Sequence, residues 1–492
     1  MAATHYTWAL LLVLPVVAWA GGAGPVLNRP FVTIWNAPTK ACAEKYNVTL
    51  DLSVFDIVAN TDQDFDGDDV TIFYSKSLGL YPYYTSAGTP VDGGLPQNAS
   101  LQTHLHQAAS DIETALPSAS YDGLAVIDWE AWRPLWARDW DAMNIYREKS
   151  EEMVRKEHPF WPSSLVKEVA KLEFEQSARA FMEQTLKLGE ILRPDGYWGF
   201  YGFPDCYNND FDSWDYTGRC PLIEQARNRE LYWLWENSRA LYPSIYLPQQ
   251  LSGTNKVLSY VRNRVAEAFS VQDFVVETSI PVLPYAQITF ENTDIFLSEE
   301  DLVNTIGESA AQGAAGVVLW GSLNYSSSEE MCLKLKNYLD GDLGHYILNV
   351  TTSAQLCSQK LCSGQGRCVR KKDKDGFLHL DAFDFTIEKD SSQTHLEVHS
   401  TTSNTASDSK TSSTDSKTSS TDSKTTGTST NGKTSSTSSK TSSTDSKTSS
   451  TDSKTSSTGN KPRQQDNRHQ HQRQDVQHQQ QDIQHRQQDI QH

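Results

Sequence analysis

The sequence contains few basic residues for its length. Its 492 residues include 43 Lys and Arg against 62 Asp and Glu, which gives a net charge of −19. A nucleic-acid-binding protein needs a basic surface to neutralise phosphates, so we expect no nucleic acid partner. An anionic polymer would have to be bound by local Arg side chains rather than by overall charge. Any binding site for an anionic ligand is therefore expected to depend on a few local basic residues.

Long hydrophobic runs are also lacking. No segment after the N-terminus is apolar enough for a membrane helix, and the polar C-terminus carries no lipid-anchor signal. The apolar residues 8–17 are too few to span a membrane, and Ala18-Trp19-Ala20 fits a cleavage site with small residues. We interpret residues 1–20 as a secretory signal peptide, with a buried N-terminal strand as the alternative. The mature protein is expected to be secreted or delivered to lysosomes, without a membrane anchor.

Cysteine is scarce, with seven in the whole chain. This number fits an oxidising compartment. It is too small to replace a hydrophobic core, so we expect the core to carry the stability of the fold and the disulfides to add to it. Secretion would also expose asparagines in Asn-x-Ser/Thr sequons to glycosylation. Such acceptors occur at Asn47, Asn98, Asn324 and Asn349.

Apolar residues become rare from about residue 398 onward. The heptapeptide Thr-Ser-Ser-Thr-Asp-Ser-Lys repeats here, as at 411–417, and it has no apolar position that could form a coiled coil. Such a segment buries too little surface to offset its ordering entropy. We predict a disordered tail over 398–492, first Ser/Thr-rich and then Gln/His-rich, with weak metal binding by its last His residues as the alternative.

Residues 21–350 show a regular alternation of strand and helix signals. Nearly continuous apolar runs, typical of strands buried on both faces, alternate with stretches of helical periodicity. This pattern predicts an α/β fold, a (β/α) barrel of the TIM type, made irregular because little helix joins the first three strands. A doubly wound open sheet is the alternative, but no Gly-rich phosphate loop follows any strand. The expected strands cover 31–35, 54–58, 70–74, 123–129, 197–203, 244–247, 282–288 and 316–320.

One strand end carries the strongest sign of chemistry. The apolar run Gly123-Leu-Ala-Val-Ile127 leads into Asp128, Trp129 and Glu130. Because residues i and i+2 of a strand point to the same face, we expect the two carboxylates side by side at the carboxyl end of the barrel, where catalytic groups lie in this architecture. Close carboxylates resist double ionisation, which keeps a proton available for general acid catalysis. Alternatively, both are ordinary polar residues that cap a following helix.

Aromatic and basic residues surround this pair in the sequence. Aromatic faces stack on sugar rings and Arg pairs with carboxylates, so the mixture indicates an acidic polysaccharide as the ligand. Core packing is the alternative role for some of the tryptophans. The cluster consists of Trp129, Trp132, Trp136, Trp140, Arg133 and Arg138.

Longer motifs resemble one known family. The run Gly123-Leu-Ala-Val-Ile-Asp-Trp-Glu-Ala-Trp-Arg-Pro134 is similar to the signature of the animal hyaluronidases, glycoside hydrolase family 56, and the resemblance covers about residues 28–370. Within that family it is closest to the hyaluronidase-1 type. The supporting motifs are Trp35-Asn-Ala-Pro38, Thr71-Ile-Phe-Tyr74, Gly93-Gly-Leu-Pro-Gln97, Trp198-Gly-Phe-Tyr-Gly-Phe-Pro-Asp-Cys-Tyr-Asn208, Leu241-Tyr-Pro-Ser-Ile-Tyr246 and Gly307-Glu-Ser-Ala-Ala-Gln-Gly-Ala-Ala-Gly-Val-Val-Leu-Trp320.

The resemblance implies endo-hydrolysis of hyaluronan, with chondroitin as a secondary substrate, by a monomer that needs no metal or other cofactor. It also implies a retaining mechanism in which the acetamido oxygen of the substrate's own N-acetylglucosamine attacks the anomeric carbon. Glu130 would donate the proton and then act as base, Asp128 would hold the acetamido group, and Tyr201 would hydrogen-bond it. The matching substrate contacts are Tyr246, Asp205, Trp320, Asn36, Tyr74, Arg133 and Arg264.

Structural roles remain the alternatives for several of these residues. Tyr201 and Tyr246 could be buried tyrosines with satisfied hydroxyls, which is the commoner fate of a strand tyrosine. Trp320 could pack at a strand end. Arg264 lies on a predicted helix, where an Arg usually belongs to a solvated face.

The resemblance further implies three disulfides, Cys42–Cys332, Cys206–Cys220 and Cys357–Cys368. Closing the long Cys42–Cys332 loop would stabilise the fold by roughly 2–5 kcal/mol. Family members of this type continue into an EGF-like module whose three further cysteines are absent here, so we expect residues 351–397 to be a truncated EGF-like segment. Cys362 then lacks its partner and is expected to be free or intermolecular.

Two other functions fit part of the sequence. A chitinase-like hydrolase shares the Asp-Trp-Glu strand end, but Ala125, Val126 and Ile127 interrupt the acidic series of that class. A catalytically idle glycan-binding protein on the same barrel would have lost Glu130 or Asp128, and both are present. No His/Cys spacing in the barrel region resembles a zinc site. Hydrolysis of an acidic polysaccharide therefore remains the favoured function.

Overall fold

The computed structural model describes Val26, residues 29–275, 280–371 and 374–380, and the backbone of residues 385–389 and 396–400. The signal peptide expected over 1–20 and nearly all of the tail expected over 398–492 lie outside these residues. Within the described part of the chain, no helix is long and apolar enough to cross a membrane.

Short strands follow the apolar runs of the sequence. Branched and aromatic side chains recur in them because these suit a pleated surface that is buried on both faces. The strands are β1 (Val32–Asn36), β2 (Ile57–Ala59), β3 (Val70–Tyr74), β4 (Tyr83–Tyr84), β5 (Pro90–Val91), β6 (Leu124–Asp128), β7 (Tyr197–Phe200), β8 (Tyr285–Ala286), β9 (Gly316–Trp320), β10 (Phe385–Lys389) and β11 (Leu396–Ser400). Every residue of β1, β3, β6 and β9 is buried.

The parallel strands close into a barrel. One sheet has the order β2-β1-β9-β8 and the other has the order β3-β6-β7. Residues 241–244 take the place of a strand between the sheets, with parallel bridges from Tyr242 to Tyr201 and from Ser244 to Tyr285. On the opposite side, Asn60 joins β2 to β3, because its Nδ2 donates to the Val70 carbonyl at 2.7 Å and its Oδ1 accepts from the Val70 N–H at 3.1 Å. The strands therefore follow one another around a ring in chain order, as in a TIM barrel.

Alternation along the strands separates the barrel interior from an outer layer. In β6, Leu124 and Val126 pack in the interior, whereas Ala125 and Ile127 pack against the surrounding helices. This is the two-residue period of a strand, and it decides which side chains reach the mouth of the barrel.

Helices cover the outside of the barrel. The longest, α4, extends about 45 Å at 1.5 Å per residue. Its buried face repeats every four residues at Val166, Ala170, Phe174 and Ala178, as expected of an amphipathic helix. The helices are α1 (Lys40–Tyr46), α2 (Leu101–Ala115), α3 (Asn144–Glu157), α4 (Ser163–Leu192), α5 (Leu222–Glu230), α6 (Tyr232–Glu236), α7 (Lys256–Ser270), α8 (Glu299–Leu302), α9 (Glu308–Ala311), α10 (Glu329–Tyr338) and α11 (Gly344–Cys362), with π-helical turns Val303–Gly307 and Leu339–Leu343 joining α8 to α9 and α10 to α11.

The first crossovers of the barrel contain little helix. Between β1 and β2 lies α1, which has 7 residues, together with the 3-10 turn Ser53–Phe55. The described residues 60–69 between β2 and β3 contain no helix. The barrel is thus irregular where the sequence predicts it.

The segment after the barrel is attached to it. Helix α11 runs through residue 350, where the sequence predicts the end of the barrel. Farther on, the Arg370 guanidinium pairs with the fully buried Glu308 of α9, and the Arg370 N–H donates to the Ala311 carbonyl at 2.8 Å. These contacts bind the segment that follows α11 to the outer layer of the barrel.

Three disulfides are present, and they are the pairs that the family resemblance implies. Cys42–Cys332 joins α1 to α10 across 290 residues of sequence, and Cys206–Cys220 closes the loop after β7. Cys357–Cys368 ties the last turns of α11 to the residues that follow it. Cys362 is half-buried and forms no disulfide.

The four sequon asparagines differ in exposure. Asn47, Asn98 and Asn324 are exposed. Asn349 is half-buried on α11, and its Oδ1 accepts the Leu380 N–H at 2.8 Å. Because a glycan attaches to an accessible asparagine amide, the exposed Asn47, Asn98 and Asn324 are the more accessible positions.

Candidate active site

The paired carboxylates lie at the carboxyl end of β6. Asp128 is the last residue of this strand, and the alternation that points Val126 into the barrel also points Asp128 there. Glu130 follows two residues later, and both side chains are largely buried, with 4% and 8% of their surface exposed. The residue between them, Trp129, turns outward and stacks on Tyr81 at a centroid distance of 4.6 Å. The side-by-side placement of the two carboxylates stays a prediction from this alternation.

The ends of neighbouring strands bring the other expected residues to the same mouth. Tyr74, the last residue of β3, is paired in register with Asp128. Asn36 of β1 is likewise paired with Trp320 of β9. The Tyr201 N–H, just after β7, donates to the Ile127 carbonyl at 2.9 Å. Catalytic groups of a TIM barrel occupy this end of the strands.

Aromatic rings form a continuous wall along this mouth. Trp320 stacks on Tyr246 at 6.0 Å and donates its indole N–H to the Tyr74 hydroxyl at 3.2 Å. The Tyr246 ring in turn lies 5.9 Å from the Tyr201 ring. Phe65, from the loop between β2 and β3, also stacks on Trp320, at 6.3 Å. A wall of this kind suits the apolar faces of sugar rings.

Tyr201 and Asn36 are held from below by Tyr285 of β8. The Tyr285 ring meets the Tyr201 ring edge to face at 5.2 Å, and its hydroxyl donates to Asn36 Oδ1 at 3.5 Å. Burial raises the pKa of Tyr285 well above its usual range, and the nearby Asp128 charge adds to this, so Tyr285 stays neutral. Asn36 Nδ2 donates to the Phe65 carbonyl at 3.4 Å. The Asn36 amide, which is fully buried, is therefore engaged by the protein at both ends.

Arg264 braces the loop that follows β7. Its guanidinium donates to Asn208 Oδ1 at 2.9 Å, to Asn209 Oδ1 at 2.7 Å and to the Ser244 carbonyl at 3.1 Å. It also forms an ion pair with the half-buried Asp205 at 3.5 Å. The solvated helix face considered for Arg264 is therefore wrong, because this side chain is 7% exposed and points inward from α7.

Arg133 lies between the acid and the same loop. Its Nη1 donates to the Glu130 carbonyl at 3.2 Å, and its guanidinium lies 5.7 Å from the centre of the Phe203 ring. Burial lowers the pKa of Arg133, but the nearby Tyr207, Glu130 and Asp205 raise it by a larger amount. The pKa of Arg133 is therefore raised overall, and the side chain keeps its charge. Arg133 thus places a buried positive charge beside Glu130.

Comparison with known proteins identifies the family. The family profile described as Hyaluronidase matches residues 22–430. The chain belongs to the hyaluronidase family. It is 56% identical over 362 residues to hyaluronidase-1 of Sus scrofa, covering 74% of this chain and 83% of that protein. Human hyaluronidase-1 is 54% identical over 382 residues, covering 77% of this chain and 88% of that protein.

A solved structure of the family has the same fold. Bee venom hyaluronidase in complex with a hyaluronic acid tetramer aligns with a TM-score of 0.60 at 31% identity, covering 64% of this chain and 98% of that one. The family resemblance seen in the motifs, including that to the hyaluronidase-1 type, is therefore confirmed. The chain is an enzyme of the hyaluronidase class, a glycoside hydrolase.

The tryptophan cluster beside the acid is mostly packing in this hyaluronidase. Trp129, Trp132 and Trp136 are buried in the outer core, where the latter two meet Phe174 of α4 edge to face. Trp140 lies beside Tyr207 with a centroid distance of 6.1 Å. The interpretation of the first three as a sugar-stacking surface is wrong, because the strand alternation and the following turn direct them away from the barrel mouth.

Arg138 is likewise structural in this family member. It is 1% exposed, its Nε donates to Glu224 Oε2 at 3.0 Å, and its Nη2 donates to Asn228 Oδ1 at 2.7 Å. Its charge is therefore used inside the protein and does not reach a ligand.

Tyr285 and Phe65 are site residues that the sequence did not predict. Tyr285 lies inside the expected strand 282–288, and its position on the inward face was the signal that could have found it. Phe65 lies in an acidic loop without regular structure, where no sequence pattern indicates contact with Trp320. The described residues contain no cluster of three side chains that could hold a metal ion.

Proposed function

We propose that this hyaluronidase cleaves hyaluronan internally, at β-1,4 linkages from N-acetylglucosamine to glucuronate, by a retaining mechanism assisted by the substrate. The observation that carries the proposal is the Asp128 and Glu130 pair at a barrel mouth walled by Trp320, Tyr246 and Tyr201. The bee venom relative, whose structure holds a hyaluronic acid tetramer, supports hyaluronan as the polymer.

In the first step the acetamido oxygen of the bound N-acetylglucosamine attacks the anomeric carbon, and the bond to the departing sugar oxygen breaks. Glu130 gives its proton to that oxygen, since a sugar alkoxide is a poor leaving group. In the second step Glu130, now a carboxylate, takes a proton from water while the water oxygen bonds to the anomeric carbon. The acetamido carbonyl is thereby restored, and two inversions leave the anomeric configuration unchanged.

The placement of the two acids favours attack by the substrate over attack by the protein. A retaining glycosidase with its own nucleophile needs carboxylates on opposite sides of the scissile bond. Asp128 and Glu130 come from one strand end, two residues apart, and approach the sugar from the same side. Asp128 is then placed to hold the acetamido N–H and to stabilise the positive charge that develops on this group.

Tyr201 and the aromatic wall orient the same sugar. The Tyr201 hydroxyl contacts Ser244 Oγ at 3.4 Å, a long contact that a substrate oxygen can replace. Tyr246 and Trp320 lie beside it and give the sugar an apolar surface to pack against. Together they fix the acetamido group in line with the bond that breaks, which converts the attack into an intramolecular step.

The buried Arg residues explain how an acidic protein accepts an acidic polymer. Arg264 is paired with Asp205, and Arg133 faces Glu130 and Asp205, so the positive charges balance the acids of the mouth. A glucuronate that enters therefore meets a nearly neutral surface in spite of the overall charge of −19. Cleavage of chondroitin is proposed as a secondary activity, because chondroitin, like hyaluronan and unlike chitin, alternates an acetamido-bearing hexosamine with glucuronate.

Product analysis tests the proposal directly. Hyaluronan should yield even-numbered saturated oligosaccharides with N-acetylglucosamine at the reducing end, chondroitin should yield fewer products, and chitin oligomers none. An unsaturated end would show a lyase, and release from chitin alone would support the chitinase-like alternative. No release from any polymer between about pH 3 and 7, where a carboxylic acid donor works, would leave the glycan-binding alternative standing.

Replacement of the acid tests its role. Glu130→Gln should lower kcat on hyaluronan by more than about 100-fold, because general acid catalysis contributes at least this much. Glu183→Gln, which removes a carboxylate from the outer helix α4, is the matched control and should retain activity. A Glu130→Gln variant with nearly unchanged kcat would remove Glu130 from its role.

The cellular route is proposed on the sequence of residues 1–20 together with the three disulfides, which suit an oxidising compartment. We expect export as a monomer, either from the cell or to lysosomes. Expression in cultured animal cells should give a chain that begins near residue 21 and carries glycans on Asn47, Asn98 and Asn324. Edman sequencing, glycan mapping and light scattering would check the three parts of this expectation.

A further inference from the structure

A fully buried carboxyl group lies in the loop that carries Glu130. Asp139 ends the 3-10 turn Trp136–Arg138 and has no exposed surface. Its Oδ1 accepts the backbone N–H of Arg133 at 2.7 Å. Its Oδ2 is buried and has no hydrogen-bond partner among the described residues. The mechanism above gives this group no role.

Charged and titratable groups face Asp139 from every element around it. Arg147 of α3 lies nearby but directs its Nε to the Trp136 carbonyl at 2.8 Å. Glu175 of α4 accepts the Trp136 N–H at 2.9 Å. Tyr81, from the loop after β3, and Tyr146 of α3 complete the surroundings, together with Arg133 itself.

These surroundings favour the neutral acid. Burial raises the pKa of Asp139 well above its usual range, the Arg133 N–H and the charges of Arg147 and Arg133 lower it by less, and Glu175 raises it again. A buried carboxylate needs several donors or a close cation to stay charged. Asp139 has one donor, so its protonated form fits the site better.

Arg133 connects Asp139 to the acid. Asp139 fixes the Arg133 backbone, and the Arg133 guanidinium reaches back to the Glu130 carbonyl at 3.2 Å. The turn from Glu130 to Asp139 is thus closed by two hydrogen bonds through one residue. Because Arg133 also faces the Glu130 side-chain charge, its position sets both where the acid lies and how readily it ionises.

We infer that Asp139, as a neutral carboxylic acid, is a positioning residue for the reaction: it holds Arg133 in place and, through Arg133, aligns and tunes Glu130. The inference rests on the proposed function, in which Glu130 is the proton donor. Asp139 touches neither the substrate nor the reacting atoms.

Two substitutions separate this role from simple packing. Asp139→Asn keeps the shape, the acceptor oxygen and the neutral state, so kcat on hyaluronan should stay within about twofold of the wild type. Asp139→Ala removes the hydrogen bond that holds the Arg133 backbone. It should lower kcat by about 10-fold or more, because a small misplacement of a catalytic group strongly lowers the rate. KM should change by less than about threefold, because Asp139 does not touch the substrate.

The pH profile supplies a readout that packing alone would not move. With Arg133 displaced, Glu130 loses a nearby positive charge, so its pKa rises. The alkaline limb of the kcat profile of Asp139→Ala should therefore move to higher pH, by about half a unit or more. The limb of Asp139→Asn should coincide with that of the wild type. Glu308→Gln is the matched control, since Glu308 is equally buried but pairs with Arg262 and Arg370 outside the site.

Thermal melts test the neutral state without an activity measurement. A raised pKa in the folded protein means that folding binds a proton, so stability is lost as pH rises above the unfolded pKa of Asp, about 4. Asp139→Asn cannot lose that proton. The Tm of this variant relative to the wild type should therefore be higher at pH 7 than at pH 4.

The outcomes are distinct. A loss of kcat in Asp139→Ala with an unmoved alkaline limb, or no loss at all, would overturn the inference while the proposed function stands. Equal impairment of Asp139→Asn and Asp139→Ala would overturn it too, because it would show that a negative charge is required. If the wild type itself fails to cleave hyaluronan, both the proposed function and this inference are refuted.

Discussion

The two faces of strand β6 both lie beside aromatic rings, but they have different roles. The inward face ends in Asp128, beside an aromatic wall of Tyr201, Tyr246 and Trp320. The outward face ends in Trp129, which packs against Tyr81, His104 and Phe200. Both faces are rich in aromatic rings, and both lie next to polar side chains. Only the inward one opens to the barrel mouth, where a sugar chain could be bound.

The difference shows that residue type alone does not identify the site. Aromatic rings beside a carboxylate suit sugar binding on the inward face and serve as core packing on the outward face. What separates them is the two-residue period of the strand, which turns each successive side chain to the other side. Substitutions on the inward face should therefore change the reaction, and those on the outward face should change stability.

The largest effect is expected on the outward face. Trp129→Ala removes a ring that is 2% exposed and stacks on Tyr81, so the free energy of unfolding should fall by about 3–5 kcal/mol, the usual loss for a buried Trp. Urea unfolding followed by circular dichroism would measure it. Trp214→Ala, at a tryptophan that is 94% exposed, is the control and should change stability little. A stable Trp129→Ala variant that lost only hyaluronan binding would contradict the assignment of the two faces.

The inward face should show the opposite pattern. Asp128→Asn keeps the shape but removes the charge that steadies the acetamido group, so kcat/KM on hyaluronan should fall by about 10²–10³-fold, as when one preorganised transition-state contact is lost. Stability should hold, because burying an amide is easier than burying a charge. Asp122→Asn, just before the amino end of the same strand, is the control and should retain activity. Steady-state kinetics with matched melts would decide; an active Asp128→Asn enzyme would refute the role.

A smaller effect on the outward face depends on pH. His104 of α2 accepts the Leu80 N–H at Nδ1 and meets Thr185 Oγ1 at Nε2, both at 2.9 Å, and burial lowers its pKa from 6.5 to about 4. The unfolded chain thus binds more protons between these values, so stability should fall by about 2 kcal/mol as pH drops from 6.5 to 4.

His104→Gln should flatten this acid-side loss, even if the variant is less stable at pH 7. His106→Gln, at an exposed position of the same helix, should leave the slope as it is. Urea unfolding at several pH values would give the slopes. An unchanged slope in His104→Gln would show that other groups cause the acid sensitivity.

Much of the fold followed from the sequence because its signals are local. Apolar runs and helical periodicity predicted the barrel, and the scarcity of helix between the first strands predicted its irregular part. The closure of the ring was not predictable. It depends on Asn60, whose side chain hydrogen-bonds Val70 across a gap between two strands. A polar side chain that substitutes for a backbone ladder has no pattern in the sequence.

The site was predictable where it follows strand ends and unpredictable where it depends on long-range packing. Asp128 stands at the end of an apolar run, so its placement on the inward face of β6 followed from alternation. Arg264 comes from a helix, and only the folded loop around Asn208 shows that it points inward. Asp139 gave no signal, since its role depends on burial and on a hydrogen bond to Arg133.

The smallest effect is expected at Tyr285, and it tests whether the residues below the mouth contribute to the reaction. Tyr285→Phe removes the hydroxyl that contacts Asn36 Oδ1 at 3.5 Å but keeps the ring that supports Tyr201. A hydrogen bond this long contributes about 1 kcal/mol or less, so kcat should fall by no more than about fivefold. Tyr242→Phe, on the same interior surface but hydrogen-bonded to the Tyr197 carbonyl at the far end of β7, is the control and should leave kcat unchanged. If Tyr285→Phe reduced kcat as strongly as Asp128→Asn, Tyr285 would belong among the groups that act on the substrate rather than among those that support them.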